Sequence, residues 1–250
     1  MKARFGIIIS LFCAAFGTSS CAQSSAAACQ DVAYKGASYT MCKFDASAFE
    51  IRTYLNDING APYASFGKLK ASLDVQGKTL LFAMNGGMYH NDRSSVGLYI
   101  EGGKQYQKIN TNKGPGNFHM LPNGVFYMGE NRVGVLESNA YLLTKTDSKY
   151  ATQSGPMIVI NGNIHPKFNK DSTSVHVRNG VGVKGDTIYF AISNEKVNFY
   201  NFASLFKEHL KTPNALYLDG TVSKIYAPEL KRHDKGRPMG PMIAVLEEGG

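Results

Sequence analysis

Four short motifs in this chain place glycine beside a residue able to do chemistry. They are Asn85-Gly86-Gly87, Ser154-Gly155-Pro156, Arg178-Asn179-Gly180-Val181-Gly182 and Leu218-Asp219-Gly220-Thr221-Val222-Ser223. Each lies at one end of an apolar run. Glycine reaches backbone conformations and close approaches that other residues cannot, and polar residues on loops at strand ends are where sites tend to form. One such motif says little. Four suggest a pocket assembled from strand ends.

Asp219 ranks first. It leaves the apolar run Ala215-Leu216-Tyr217-Leu218, where a carboxylate is held rigidly and can face a pocket; an ordinary Asp-Gly turn is the alternative. Ser223, four residues on, can return a hydroxyl to the same place. Arg178 opens a strand, and a guanidinium there can clamp a phosphate or carboxylate with paired hydrogen bonds; a strand-edge arginine is the alternative. Asn85 ends the most apolar run, with Gly86 allowing a ligand close to the backbone; a capping or turn asparagine is the alternative. Glu195 is the candidate second carboxylate, weighed against a structural role. Ser154 and Gly155 are expected to shape the pocket wall and contact substrate, since Ser154 does not sit in a Gly-x-Ser-x-Gly nucleophile motif. His90, His119 and His176 match no metal-ligand spacing, and no phosphate-binding, zinc-protease, calcium or dinucleotide fingerprint occurs. No cofactor or metal is expected, although a divalent cation beside a phosphate would be chemically compatible.

These residues need strands to hold them. Lys78 to Met84 is a short, nearly continuous apolar run, as in a buried strand. Strands are also expected at Val96 to Ile100, Ala215 to Leu218 and Met242 to Leu246. Hairpins are expected around Gly129-Glu130-Asn131, Asn161-Gly162-Asn163 and Lys184-Gly185-Asp186. Two helices are predicted. One covers Tyr63 to Leu73, with Ser65 as N-cap; the other covers Asn201 to Leu210, with Phe202, Leu205, Phe206 and Leu210 at helical spacing. Thr111 to Pro122 reads as a polar loop able to wall a cleft. Hairpins with few helices predict an α+β fold: a strand-rich single domain with a mainly antiparallel or mixed sheet and a few flanking helices.

The N-terminus reads as an export signal over residues 1–22. Lys2 and Arg4 precede an apolar stretch from Phe5 to Phe16, too short to span a bilayer, and Ser20-Cys21-Ala22 fits a cleavage site. Lipidation at Cys21 is the alternative. Residues 23–250 then form one domain, placed in the periplasm or secreted, with no transmembrane helix. In that oxidising setting Cys29 and Cys42 are expected to pair. Loss of Lys2 and Arg4 takes the formal charge from +8 to +6. A moderately basic chain favours anionic substrates or envelope polymers. No nucleic-acid motif is present, and the oligomeric state is not legible.

Taken together, the four motifs resemble the phosphodiester glycosidase family, whose lysosomal member is the uncovering enzyme, N-acetylglucosamine-1-phosphodiester alpha-N-acetylglucosaminidase. The resemblance covers roughly residues 78–246 and rests on Asn85-Gly86-Gly87, Ser154-Gly155-Pro156, Arg178 with Gly180 and Gly182, and Leu218-Asp219-Gly220 with Ser223. Two departures bear on substrate: Met88-Tyr89 stands where relatives have an aromatic pair, and Gly220-Thr221-Val222 where they carry more glycine. The resemblance implies hydrolysis of the bond between a sugar's anomeric carbon and a phosphodiester, with a carbohydrate phosphodiester or envelope glycan as partner. In that reaction Arg178 would neutralise the phosphate, Asp219 would activate water or attack, and Asn85 and Ser223 would orient. A non-enzymatic envelope protein that binds glycan or phosphate-bearing headgroups is the alternative.

Overall fold

The computed structural model describes residues 28–247 other than Asn131 and Lys145. The expected export signal over residues 1–22, with Cys21, therefore lies outside the described residues. The chain runs through β1 (Ala28–Tyr34), β2 (Ala37–Asp45), β3 (Glu50–Tyr54), α1 (Phe66–Val75) and β4 (Leu80–Asn85). It continues with β5 (Tyr99–Glu101), β6 (Lys104–Gln107), β7 (Gly124–Gly129), β8 (Val133–Glu137), α2 (Ser138–Thr144) and β9 (Ser148–Ser154). Next come β10 (Met157–Ile160), β11 (Asn163–Ile164), β12 (Asn179–Lys184), β13 (Thr187–Ser193) and α3 (Phe199–Ser204), which widens into a π-helical turn over Leu205–His209. The chain then forms β14 (Asn214–Asp219), β15 (Ile225–Ala227), β16 (Arg232–His233) and β17 (Met242–Leu246).

The strands make three antiparallel sheets. Seven run in the order β1-β2-β13-β12-β14-β10-β11, five as β16-β15-β4-β17-β3, and five as β6-β5-β9-β7-β8. The fold is α+β and strand-rich, in one domain. All three sheets contribute to one core: Phe44 from β2, Phe82 from β4, Phe126 from β7 and Phe190 from β13 meet there, with the Phe82 and Phe190 rings stacked at 4.8 Å. Each sheet has a helix on another face. Phe202, Leu205 and Phe206 cover the large sheet, Phe66, Leu69 and Leu73 cover the second, and Tyr141 packs on Tyr127 of the third. Every buried aromatic in these layers removes a large apolar surface from water, which is the main stabilising term.

The expected hairpins form as β7–β8, β10–β11 and β12–β13. Ser65 caps α1 by accepting the Lys68 N–H at 3.3 Å. The second helix begins at Phe199, two residues before the expected start at Asn201, because Asn198 caps it by accepting the Asn201 N–H at 2.9 Å. Cys29 and Cys42 lie opposite each other on β1 and β2 and are joined by a disulfide. No described helix is long and apolar enough to cross a membrane.

Candidate functional site

The four motifs converge on the end of β14. There the β12–β14 ladder shifts register: Asn179 pairs with Asp219, but Gly180 pairs with Tyr217, so Leu218 is an extra residue. Such a bulge re-aims a side chain at the strand's end. Asp219 is left only 7% exposed, with Oδ1 accepting the Thr221 N–H at 2.9 Å. Two effects compete on its carboxyl. Burial raises its pKa above the ordinary carboxylate range, while the N–H groups of Thr221, Gly220 and Val222 lower it; burial wins. No ion pair reaches Asp219 among the described residues.

Asn179 is the hub of the site. Its Oδ1 accepts the Asp219 N–H at 3.0 Å, and its Nδ2 donates to Asn85 Oδ1 at 2.9 Å. The Lys224 N–H donates to the same Asn85 oxygen at 2.8 Å. Two donors on one atom fix the Asn85 amide: flipping it would set its NH2 against both N–H groups. Asn85 Nδ2 is consequently turned elsewhere and is buried without a partner. Ser223 Oγ sits among the carbonyls of Val177 (3.1 Å) and Asp219 and the Asn179 side-chain oxygen (3.3 Å), so its proton closes the 219–223 loop.

Arg178 is fully buried. Its Nε donates to the Val197 carbonyl at 2.9 Å, its Nη2 to the Ser174 carbonyl at 3.0 Å, and its guanidinium lies 3.6 Å from the Phe199 ring centre. The third nitrogen, Nη1, has no partner. Burial lowers the pKa of this group, but arginine stays charged in proteins. Among the described residues no carboxylate lies within ion-pair distance of this buried cation, a costly arrangement. Nearby, Tyr89 donates to the Pro238 carbonyl at 2.8 Å, and its phenol feels the charges of Asp219, Arg93 and Arg237.

Ser154 and Gly155 are part of the wall. Ser154 Oγ donates to the Leu218 carbonyl at 2.7 Å, and a Cβ on Gly155 would lie 2.7 Å from the Phe118 carbonyl oxygen. Gly86 packs its backbone on Met242 and Ile243, and its carbonyl accepts from Thr152 Oγ1 at 2.8 Å. Glu195 is not brought in. It is exposed and accepts the Ser38 N–H at 2.8 Å, on the β2 side of the sheet, away from β14. The structure thus gathers Asn85, Gly86, Ser154, Gly155, Arg178, Asp219 and Ser223, and leaves Glu195 outside. No cluster of three or more potential metal ligands occurs among the described residues. Two sizeable cavities, of about 820 Å³ and 720 Å³, are lined by other residues, such as Tyr63 and Tyr106 in the first and Phe49 and Tyr150 in the second.

Residues 78–246 match the family model for phosphodiester glycosidases. The chain belongs to the phosphodiester glycosidase family. It is 36% identical over 200 residues to the uncharacterized protein YigE of Escherichia coli (strain K12), covering 80% of this chain and 78% of YigE. Among solved structures it is similar to the catalytic domain of zebrafish N-acetylglucosamine-1-phosphodiester alpha-N-acetylglucosaminidase. That likeness has a TM-score of 0.59 at 13% identity, over 88% of this chain and 82% of that one. It is also similar to a hypothetical protein from Synechocystis, with a TM-score of 0.55 at 12% identity, over 88% and 61% of the two chains. At such identities the structural likeness speaks to the fold.

Proposed function

We propose that this chain is a hydrolase that cleaves the glycosyl C–O bond of a sugar-1-phosphodiester, outside the cytoplasm. The observation that carries the reading is that the converging motifs hold both a buried carboxylate without an ion pair, Asp219, and a buried guanidinium, Arg178, whose Nη1 has no partner among the described residues. Family membership supplies the reaction class. The Cys29–Cys42 disulfide supports an oxidising compartment, in the periplasm or beyond it.

The chemistry is compatible with one carboxylate. A phosphate monoester is a good leaving group and needs charge neutralisation more than protonation; Arg178 supplies that charge in a low-dielectric setting. Asp219 takes a proton from the attacking water, or attacks the oxocarbenium-like carbon itself. Asn85 Nδ2, the free donor beside them, holds a sugar hydroxyl or a phosphate oxygen. Glu195 has no part in this scheme. The test is release of free sugar from a panel of sugar-1-phosphodiesters. Wild-type protein should turn over at least one member, and Asp219→Asn should lower kcat by about 100-fold or more. Tight binding without turnover by wild-type protein would instead support the glycan- or headgroup-binding alternative.

A further inference from the structure

Eight buried side-chain atoms lack a hydrogen-bond partner among the described residues; two of them, Asn85 Nδ2 and Arg178 Nη1, belong to the converging motifs, and a third, Tyr217 Oη, lies one residue before the Leu218–Ser223 motif. The last is the least expected. Tyr217 is fully buried, with its ring edge-on to Phe199 at 4.8 Å and the Arg178 guanidinium 5.6 Å from its centre. A Cβ on residue 220 would collide with its hydroxyl. The phenol therefore lies against the turn that carries the Asp219 carboxylate, and the glycine at 220 makes room for it. Arg178 and Asn117 approach the hydroxyl without reaching hydrogen-bond geometry. Packing alone does not account for the oxygen. Phenylalanine would fill the same volume without the desolvation cost of a buried unbonded hydroxyl.

We propose that the Tyr217 hydroxyl and the free Nη1 of Arg178 form an oxyanion-binding pair that holds the phosphate of the substrate. Both groups are donors, and burial among apolar rings keeps the phenol protonated by raising its pKa. As the glycosidic C–O bond breaks, its electron pair moves to the phosphate oxygen. The new C–O bond forms from water, whose proton passes to Asp219. Tyr217 keeps its proton and donates a hydrogen bond that strengthens as charge builds on the phosphate. The inference deepens the proposed function and rests on it for the reaction, but it also makes a claim about inorganic phosphate alone.

The test is calorimetric titration of wild-type protein and Tyr217→Phe with inorganic phosphate, with melting temperature and sugar-release kinetics measured on both. Wild-type protein should bind phosphate, and Tyr217→Phe should bind it at least tenfold more weakly. The variant should melt at the same or a higher temperature, and its kcat should fall about 100-fold. Equal phosphate affinity in the two proteins, or no phosphate binding by wild type, overturns the oxyanion pair. Tyr217-dependent phosphate binding without hydrolysis of any sugar-1-phosphodiester would leave the pair standing and overturn the proposed reaction.

Discussion

Asp219 and Arg178 are ionisable groups held largely out of solvent, and each carries a measurable consequence. Because burial raises the Asp219 pKa in the folded state, its protonated form is the one the fold prefers. That contribution is fully present below the unfolded pKa of about 4 and is lost as pH rises through the folded value. Asp219→Asn should therefore raise the melting temperature at pH 7–8, and the gain should vanish near pH 3; thermal scans at the two pH values check it. The same raised pKa sets the acid limb of the rate profile, since a base must be ionised. Activity should rise with pH through a midpoint above about 4. At Arg178 the informative change is to lysine. It keeps a charge but loses the fork that reaches Val197 and Ser174 while leaving Nη1 free. Arg178→Lys should cost about 1–3 kcal/mol of stability and at least tenfold in kcat/KM, read from urea melts and sugar release.

Apolar runs bordered by a polar residue and a glycine marked β4, β12 and β14 in the sequence, and the site lies at those borders, the C-terminal ends of β4 and β14 and the start of β12. Other elements left no such trace. β9 (Ser148–Ser154) has almost no apolar signal, yet Thr152, Gln153 and Ser154 are all buried. They are tolerated there because each is bonded: Gln153 alone receives the N–H groups of Leu98 and Asn110 and donates to Ser138 Oγ and the Asn110 carbonyl. Periodicity cannot find a strand whose burial rests on hydrogen bonds. Asn179 escaped notice for a related reason. Its role depends on Asn85, which is distant in sequence, and the only local hint was its place between Arg178 and Gly180. Glu195, the candidate second carboxylate, shared with Asp219 only its place after a strand; sheet order separates them, and sheet order is not a local property. At this scale the disulfide offers a clean check. It joins β1 to β2 at the sheet edge, with β13 and β12 between them and β14. Replacing both cysteines by alanine should cost at most about 3 kcal/mol and lower the melting temperature by roughly 5–10 °C. Turnover by the folded protein at 25 °C should be unchanged.

The whole molecule brings three sheets to one core and gathers the four motifs at the end of β14. The described chain offers Arg178 within the site, and Arg93 and Arg237 near Tyr89 at its margin. With a formal net charge of +8, long-range attraction should speed encounter with phosphodiesters. Raising ionic strength from 0.01 to 0.5 M should lower kcat/KM for a charged substrate, since the Debye length shrinks from about 30 Å to a few ångströms, and should leave kcat nearly unchanged. The family resemblance was legible from motif order, and the model match over residues 78–246 bears it out. The bond that is broken is the claim on which the rest depends. Hydrolysis of a sugar-1-phosphodiester in oxygen-18 water, followed by mass spectrometry of both products, tests it most directly: the account predicts the label in the released sugar and none in the phosphate, and label in the phosphate would contradict it.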